Sequence, residues 1–428
     1  LDRDFALNLG SENELHELLN ASPDTFDASV HPAIFAFTKT SNTDAKSPVR
    51  YIDGRNAGID NYPELFELDA EQGTPDEGWN VVETIESGRI SQKSIGEFDV
   101  YQAPVQLFKN SIQQSFFKPT LRNIAIWKSL ISEVRELANR WEDEIMDSSK
   151  LEDNIVSIRN NYLKHLEAGD VTLVGLLTVG GVGLQTGKNR NFIAYHSDSP
   201  EGQKIIERNG DGFKYVDQNE ETVGVGKMGR VINDSHIANV DSLTPEERLN
   251  GISGTNTDPV WVPITKGKGQ PYSSPQNWYI NWSESSVRKL KSSSDARWQG
   301  DDYFFEEGLF ISRGGTGDPT IRHTTNAIID SSGGIYIPTC EKVSVDFLNG
   351  WLNSNPVQEL IDVFINGTVN TQVNDIRTVP VIVPSDEQLN EMEHLVKEAK
   401  EIQSNSGDVS AVQARINKLV KKMLGLAI

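Results

Sequence analysis

The sequence has little of what disulfide-stabilised, metal-binding or membrane proteins need. Its 428 residues contain a single cysteine, Cys340, which excludes a disulfide framework or a cysteine-rich zinc site within the chain and fits a reducing compartment. No apolar run reaches the ~18–20 residues that cross a bilayer. The seven histidines lack the spacing of a metal site. We therefore expect a cytoplasmic protein with no bound metal and no membrane partner.

Positive charge is also scarce, and its distribution is uneven. The chain has 40 Lys and Arg against 62 Asp and Glu, a formal net charge of −22. Residues 1–170 hold 16 basic and 30 acidic residues, residues 171–330 hold 16 and 20, and residues 331–428 hold 8 and 12. An acidic total weakens long-range attraction to nucleic-acid phosphates, but a local basic groove can still bind them. The acidic first 170 residues are in turn a candidate surface for a protein partner.

Length and hydrophobic periodicity predict an α+β chain of several units. Near the N-terminus the patterns predict a short helix over Glu12–Leu19 and a buried strand over Ala33–Thr38. After two connector helices, an apolar strand begins at Val171. The tail predicts two amphipathic helices around Ser404–Asp408. The predicted boundaries are 1–45, an acidic loop-rich β segment at 46–118, a helical connector at 119–168, a mixed β-rich domain at 169–384 and C-terminal helices at 385–428.

The most informative stretch runs from Gly308 to Pro384. An apolar strand, Leu309–Ser312, leads to Arg313 and a turn of glycines, where few side chains cover the backbone N–H groups. A helix follows that places four apolar side chains on one face: Phe347, Leu348, Trp351 and Leu352. The stretch ends in the short apolar segment VPVIVP at residues 379–384.

Four segments of the chain resemble adenine-specific DNA methyltransferases of restriction–modification (type IIG-like) and phage-exclusion (BREX-like) systems. GLQTGKN at residues 183–189, FLNGWLNS at 347–354 and NDIRTVPVIVP at 374–384 resemble, in this order, parts of their target-recognition domain. FDASVHPAIFAFTK at 26–39 is similar to one of the last strands of their catalytic domain.

The resemblance implies a fold and a function. Residues 1–45 would be the end of an α/β methyltransferase domain, and residues 169–384 the target-recognition domain, which reads the DNA sequence to be methylated. The implied partners are double-stranded DNA and a methyltransferase domain or subunit, with a nuclease as a further candidate. S-adenosylmethionine is implied for the complete enzyme, whose reaction is methyl transfer to adenine N6.

The cofactor and catalytic motifs of such an enzyme are not found in this chain. Asp258–Trp261 is nearest to the Asn/Asp-Pro-Pro-aromatic catalytic loop, but it lacks the second proline and predicts a turn entering a strand. Residues 224–229 match the dinucleotide-binding glycine pattern without the buried strand that must precede it. We therefore expect no cofactor within this chain, and its activity as a separate enzyme stays open.

Three groups of polar residues on predicted loops are candidate DNA contacts. Arginine pairs with guanine and Asn with adenine, whereas Lys and Thr mostly bind phosphates. The first group is Thr186, Lys188, Asn189 and Arg190; the second is Lys266 and Lys268; the third is Arg313, Thr316, Arg322 and His323. Arg313 is the candidate for reading a guanine, because the preceding strand fixes its backbone.

Other interpretations stay open at this point. Each group is also what an ordinary solvated loop would contain. The chain as a whole could be an acidic protein-interaction subunit of a defence complex that does not read DNA directly, or a self-contained enzyme with a site that the sequence does not reveal.

Overall fold

The computed structural model describes residues 13–21, 33–39, 48–55, 78–111, 116–131, 134, 137, 153–216, 229–313, 319–366 and 371–426. These residues form helices and mostly antiparallel sheets. The α+β class predicted from the sequence is confirmed.

The first half is built on a six-stranded sheet. Its strands are β1 (Asn13–Ala21), β2 (Ala33–Lys39), β3 (Pro48–Gly54), β4 (Asn80–Ile85), β5 (Gly88–Ile95) and β6 (Phe98–Pro104). Their order is β2-β1-β3-β6-β5-β4. Only the β1–β3 pair is parallel among the pairs described. Residues from the first two predicted units therefore lie in one sheet.

The strand predicted at Ala33–Thr38 is confirmed, but the helix predicted over Glu12–Leu19 is wrong. Residues Asn13–Ala21 form β1, which is paired with β2 on one edge and with β3 on the other. Hydrogen bonding on both edges favours the extended backbone over the local helical spacing.

Helices connect this sheet to the second half. They are α1 (Val105–Lys109), α2 (Leu121–Ile126), which continues as a π-helical turn at Trp127–Ile131, and α3 (Asp153–Lys164). Three apolar side chains of this connector, Ile124, Leu130 and Val134, are core residues, each 3% exposed or less.

In the described part of the second half, the strands form three smaller sheets. The five-stranded sheet has the order β10 (Val231–Ile232), β9 (Ile193–His196), β12 (Trp278–Asn281), β11 (Trp261–Thr265), β15 (Ile328–Ile329). The four-stranded sheet has the order β14 (Ile321–Thr324), β13 (Gly308–Ser312), β16 (Gly333–Pro338), β8 (Thr178–Val179). The two-stranded sheet pairs β17 (Pro380–Ile382) with β7 (Val171–Leu173).

The remaining helices surround these sheets. They are α4 (Val174–Leu177), α5 (Asn189–Phe192), α6 (Pro200–Asn209), α7 (Pro245–Asn250), α8 (Glu284–Ser292), α9 (Val345–Asn353), α10 (Asn355–Leu360), α11 (Val373–Arg377), α12 (Asp386–Ser404) and α13 (Ser410–Met423). A π-helical turn at Ile361–Ile365 extends α10, and short 3-10 turns lie at Gly210–Gly212, Asp234–His236, Val240–Ser242 and Asp301–Tyr303. The two tail helices are confirmed. The single strand predicted from Val171 is corrected, because the apolar run divides into β7, α4 and β8.

The segments that begin and end the predicted recognition domain meet in space. β7 and β17 pair antiparallel, with Leu173 opposite Pro380. The Gly169 N–H donates to the Val383 carbonyl over 2.8 Å, and the Trp351 indole donates to the Pro380 carbonyl over 2.9 Å. The two ends of the predicted recognition domain are therefore adjacent in space, and the chain between them starts and ends at the β7–β17 pair.

The largest apolar cluster joins the two halves. The rings of Phe117 and Phe364 lie 4.7 Å apart between centroids. On α9, the four apolar side chains predicted to share a face are all buried, in one cluster with Met392 and Leu395 of α12. Burial of this cluster holds the connector, the β-rich part and the tail helices together.

Among the described helices, none combines the length and apolar composition needed to cross a membrane. The same residues contain no group of three or more His, Cys, Asp or Glu side chains placed to hold a metal ion.

Candidate nucleic-acid interface

A buried turn at residues 329–332, the Asp330 turn, connects the three candidate groups. Asp330 is 2% exposed, and its N–H donates to the Thr265 carbonyl over 3.0 Å. Its Oδ1 accepts the Ser332 N–H at 2.8 Å, and its Oδ2 accepts Lys266 Nζ at 2.9 Å. Hydrogen bonds and a cation thus satisfy both carboxylate oxygens, as a buried charge requires.

The first candidate group starts beside this turn. The Leu184 N–H donates to the Ile329 carbonyl over 2.7 Å, and the Ser331 N–H donates to the Leu184 carbonyl over 2.9 Å. Thr186 follows two residues later; its hydroxyl is 2.5 Å from Asn189 Oδ1 and closes the loop that leads into α5. These hydrogen bonds fix the position at which the chain of the first group passes from the buried turn to the surface.

The second and third groups are held by the other side of the turn. The Gly267 N–H donates to Ser332 Oγ over 2.7 Å, and the Arg313 N–H donates to the Ser332 carbonyl over 2.7 Å. Arg322 donates from its two terminal nitrogens to the carbonyls of Lys266 and Gly267, each over 2.9 Å. Segments that are far apart in the sequence therefore meet at the four residues of the Asp330 turn.

Two of the predicted contact residues are enclosed. Arg322 is 4% exposed, stacks 4.6 Å above the centroid of the Phe310 ring, and burial lowers its pKa to about 10. The Lys266 side chain is 17% exposed and is bound to Asp330. Both side chains position the 266–268 loop. Their contact with DNA stays a prediction.

The other members of these groups lie nearer the surface. Lys268 is exposed. Arg313 is half-buried, and its guanidinium donates to Gln372 Oε1 over 2.7 Å. His323 Nε2 lies 2.8 Å from Glu307 Oε1. Thr316 lies outside the described residues.

A groove forms where the first group meets the end of α8. Gly187 has a φ of +68°, and a Cβ there would lie 2.2 Å from the Asp295 carbonyl oxygen, so only glycine allows this approach. Lys188 Nζ lies 2.8 Å from Asp295 Oδ2. Gln185 and Arg297 exchange two main-chain hydrogen bonds, of 3.1 and 2.8 Å. The groove has a volume of about 290 Å³ and is lined by Thr186, Lys188, Asn191, Phe192, Lys289, Ser292, Ser293 and Asp295.

Sequence reasoning missed the contribution of α8. Ser283 caps this helix, Val287 and Leu290 are buried, and its three cations are exposed: Arg288, Lys289 and Lys291. The signal was the run VRKLK, whose two apolar residues at i and i+3 assign the basic residues to the solvent face. Residues 184–192 and 284–298 together hold six basic and two acidic residues, a local excess on a strongly acidic chain.

Comparison with known proteins gives little more. No family model matches the sequence, and no curated protein matches it. Among solved structures, the type IIG restriction endonuclease BpuSI aligns with 99% of this chain and 45% of its own chain, at 9% identity and a TM-score of 0.31. The chain thus spans less than half of that enzyme's length. A TM-score this low carries no argument about function.

Proposed function

We propose that this chain is the DNA target-recognition portion of a site-specific adenine-N6 DNA methyltransferase of a restriction–modification system. The resemblance of residues 183–189, 347–354 and 374–384 to such domains supports it. The observation that carries it is the convergence of the three candidate groups on the Asp330 turn. One buried support holding several surface loops is what reading several adjacent base pairs requires.

The local charge supports the same proposal. The basic excess beside α8 provides the attraction to phosphates that the acidic total opposes. S-adenosylmethionine and the catalytic loop belong, in this proposal, to the rest of the enzyme.

Within this interface we assign Arg313 to base readout. Its backbone is held at the end of β13 by the Ser332 carbonyl, and Gln372 orients its guanidinium. An arginine held by rigid elements can donate two hydrogen bonds to one guanine, worth about 1–3 kcal/mol of discrimination. Lys188 and Lys268 are exposed on loops next to glycines, which suits phosphate contacts.

The test is selection from a library of random DNA duplexes by the whole chain. We expect the wild type to enrich a site that contains a guanine, and Arg313→Ala to lose preference at that one position by roughly ten-fold or more. Lys188→Ala should weaken binding to all duplexes about equally and lower the salt slope by about one. Arg415→Ala is the matched control, since Arg415 is exposed on α13 and paired with Glu398.

Two results would overturn the assignment. If Arg313→Ala lowers the melting temperature but keeps the base preference, Arg313 only stabilises its turn. If the wild-type chain binds no duplex at physiological salt, the acidic first half as a protein-interaction surface becomes the better account.

A further inference from the structure

We propose that the groove between residues 186–192 and α8 binds one phosphodiester group of the DNA backbone, and that the Asp295 carboxylate occupies the phosphate's place at Lys188 until DNA arrives. This inference rests on the proposed function and adds to it a defined phosphate site with a built-in competitor.

The groove has the chemistry of an anion site. Lys188 lines it from residues 186–192 and Lys289 from α8, and the other lining residues include Thr186, Ser292 and Ser293. The Thr186 and Ser292 hydroxyls already donate to Asn189 Oδ1 and to the Arg288 carbonyl, so the two ammonium groups are the donors that suit phosphate oxygens here. The side-chain acid lining the groove is Asp295, and its carboxylate is already turned onto Lys188.

The ion pair between Lys188 and Asp295 is suited to exchange. Both side chains are more than half exposed, 58% and 53%, so water screens their attraction and the pair is weak. The main chain beneath it is fixed, because residues 185 and 297 exchange two hydrogen bonds and the Asp295 carbonyl lies against Gly187. Rotation of the Asp295 side chain alone therefore exposes Lys188 without moving either wall.

The surroundings favour a polyanion over an isolated anion. Arg288 continues the exposed basic surface along α8 beyond the groove. A row of cations that extends beyond a single phosphate group suits a nucleic-acid backbone, whose charges repeat along its length.

The experiment measures binding of a short DNA duplex to the whole chain, by fluorescence anisotropy over a salt series, for three variants. Lys289→Gln should weaken binding about three- to fivefold at low salt and reduce the salt slope by about one, whatever the DNA sequence. Lys291→Gln is the matched control on the same helix: its ammonium already donates to Asn250 over 2.8 Å and lies 4.7 Å above the Trp298 ring. It should change binding less than twofold.

Asp295→Asn is the decisive variant. Removing a negative charge beside the bound phosphate should tighten binding about fivefold, a gain that damage to the fold cannot produce. Melting curves of the three variants should coincide with that of the wild type, since all three side chains are exposed.

Several results would overturn the proposal. Equal effects of Lys289→Gln and Lys291→Gln would show diffuse attraction without a site. Unchanged or weaker binding by Asp295→Asn would show that the Asp295 carboxylate does not compete with a phosphate for Lys188. Displacement of the duplex by dilute inorganic phosphate would show a site for a soluble anion. None of these results bears on the base preference measured with Arg313→Ala, so this inference and the proposed function can fail separately. If the wild-type chain does not bind DNA, both are refuted.

Discussion

Two sets of cations in the second half of the molecule differ in what they bind. Arg159, Arg322 and Arg377 are buried, and their guanidinium groups donate to main-chain carbonyls, including those of Leu176, Thr178, Lys266, Gly267 and Gly180. The cations at the groove, Lys188 and Lys289, are exposed. The contacts described for Lys188 include a single ion pair with an equally exposed carboxylate.

The difference separates supporting from binding roles. A buried guanidinium that spans two carbonyls fixes the relative position of two segments and cannot leave without exposing both. An exposed ammonium changes partners at little cost. The role of a cation here follows from its burial and its partners, and residue type alone does not give it.

The largest effect should come from removing an enclosed guanidinium. Arg322→Met keeps an unbranched apolar side chain over Phe310 but leaves the carbonyls of residues 266 and 267 without their donors. We expect a loss of about 3 kcal/mol in the free energy of unfolding, measured by urea denaturation. Arg313→Met, on a neighbouring strand end and half-buried, should cost less than about 1 kcal/mol. Equal losses for the two variants would contradict the division into supporting and binding cations.

The first half contains a buried carboxylate, Asp53, that is paired with two cations, and acid should break these ion pairs. Arg55 Nε and Lys118 Nζ each lie 2.9 Å from a different oxygen of Asp53, and Lys118 also contacts Asp99 at 2.7 Å. Burial alone raises the pKa of Asp53, but hydrogen bonds and charge from Arg55 and Lys118 outweigh it and lower the pKa to about 2. The pKa in the unfolded chain is about 3.8.

A depressed carboxylate pKa stabilises the fold above the unfolded value, and this stability is lost as the pH falls through the folded value. Asp53 should therefore contribute about 2 kcal/mol at neutral pH, lost between about pH 4 and pH 2. The measurement is the unfolding free energy of the wild type and Asp53→Asn across this range: the two should converge at the acid end. Asp99→Asn is the control, as its side chain is 38% exposed. A constant gap between wild type and Asp53→Asn would contradict the role of ionisation.

Local sequence predicted those elements whose packing follows their own periodicity. The α9 stripe of Phe347, Leu348, Trp351 and Leu352 and the two tail helices are examples. β1 was mistaken for a helix because its conformation depends on partners from distant segments. The site shows the same limit: Arg313 comes two residues after Ile311 and Arg322 directly after Ile321, both in a loop-rich stretch. Arg322 is the buried one, because β14 pairs with β13 and the carbonyls of residues 266 and 267 lie beside its guanidinium. Neither contact is visible in the local sequence. The α8 cations were overlooked because their nearness to Lys188 depends on the contact of Gly187 with Asp295.

An effect no larger than that of Asp53 should come from the glycine that shapes the groove. Gly187 and Gly267 both have left-handed backbones, with φ of +68° and +65°, but only Gly187 is crowded, since a Cβ at Gly267 would meet nothing within 4 Å. Gly267→Ala should cost about 1 kcal/mol for its conformation alone. Gly187→Ala adds a clash with the Asp295 carbonyl oxygen and should cost about 1 kcal/mol more. Because that clash pushes the two walls apart, Gly187→Ala should also weaken DNA binding and abolish the gain expected from Asp295→Asn. The DNA affinity of the double variant Gly187→Ala/Asp295→Asn measures this coupling. If the double variant binds DNA fivefold more tightly than Gly187→Ala alone, the groove does not depend on the close approach of its walls.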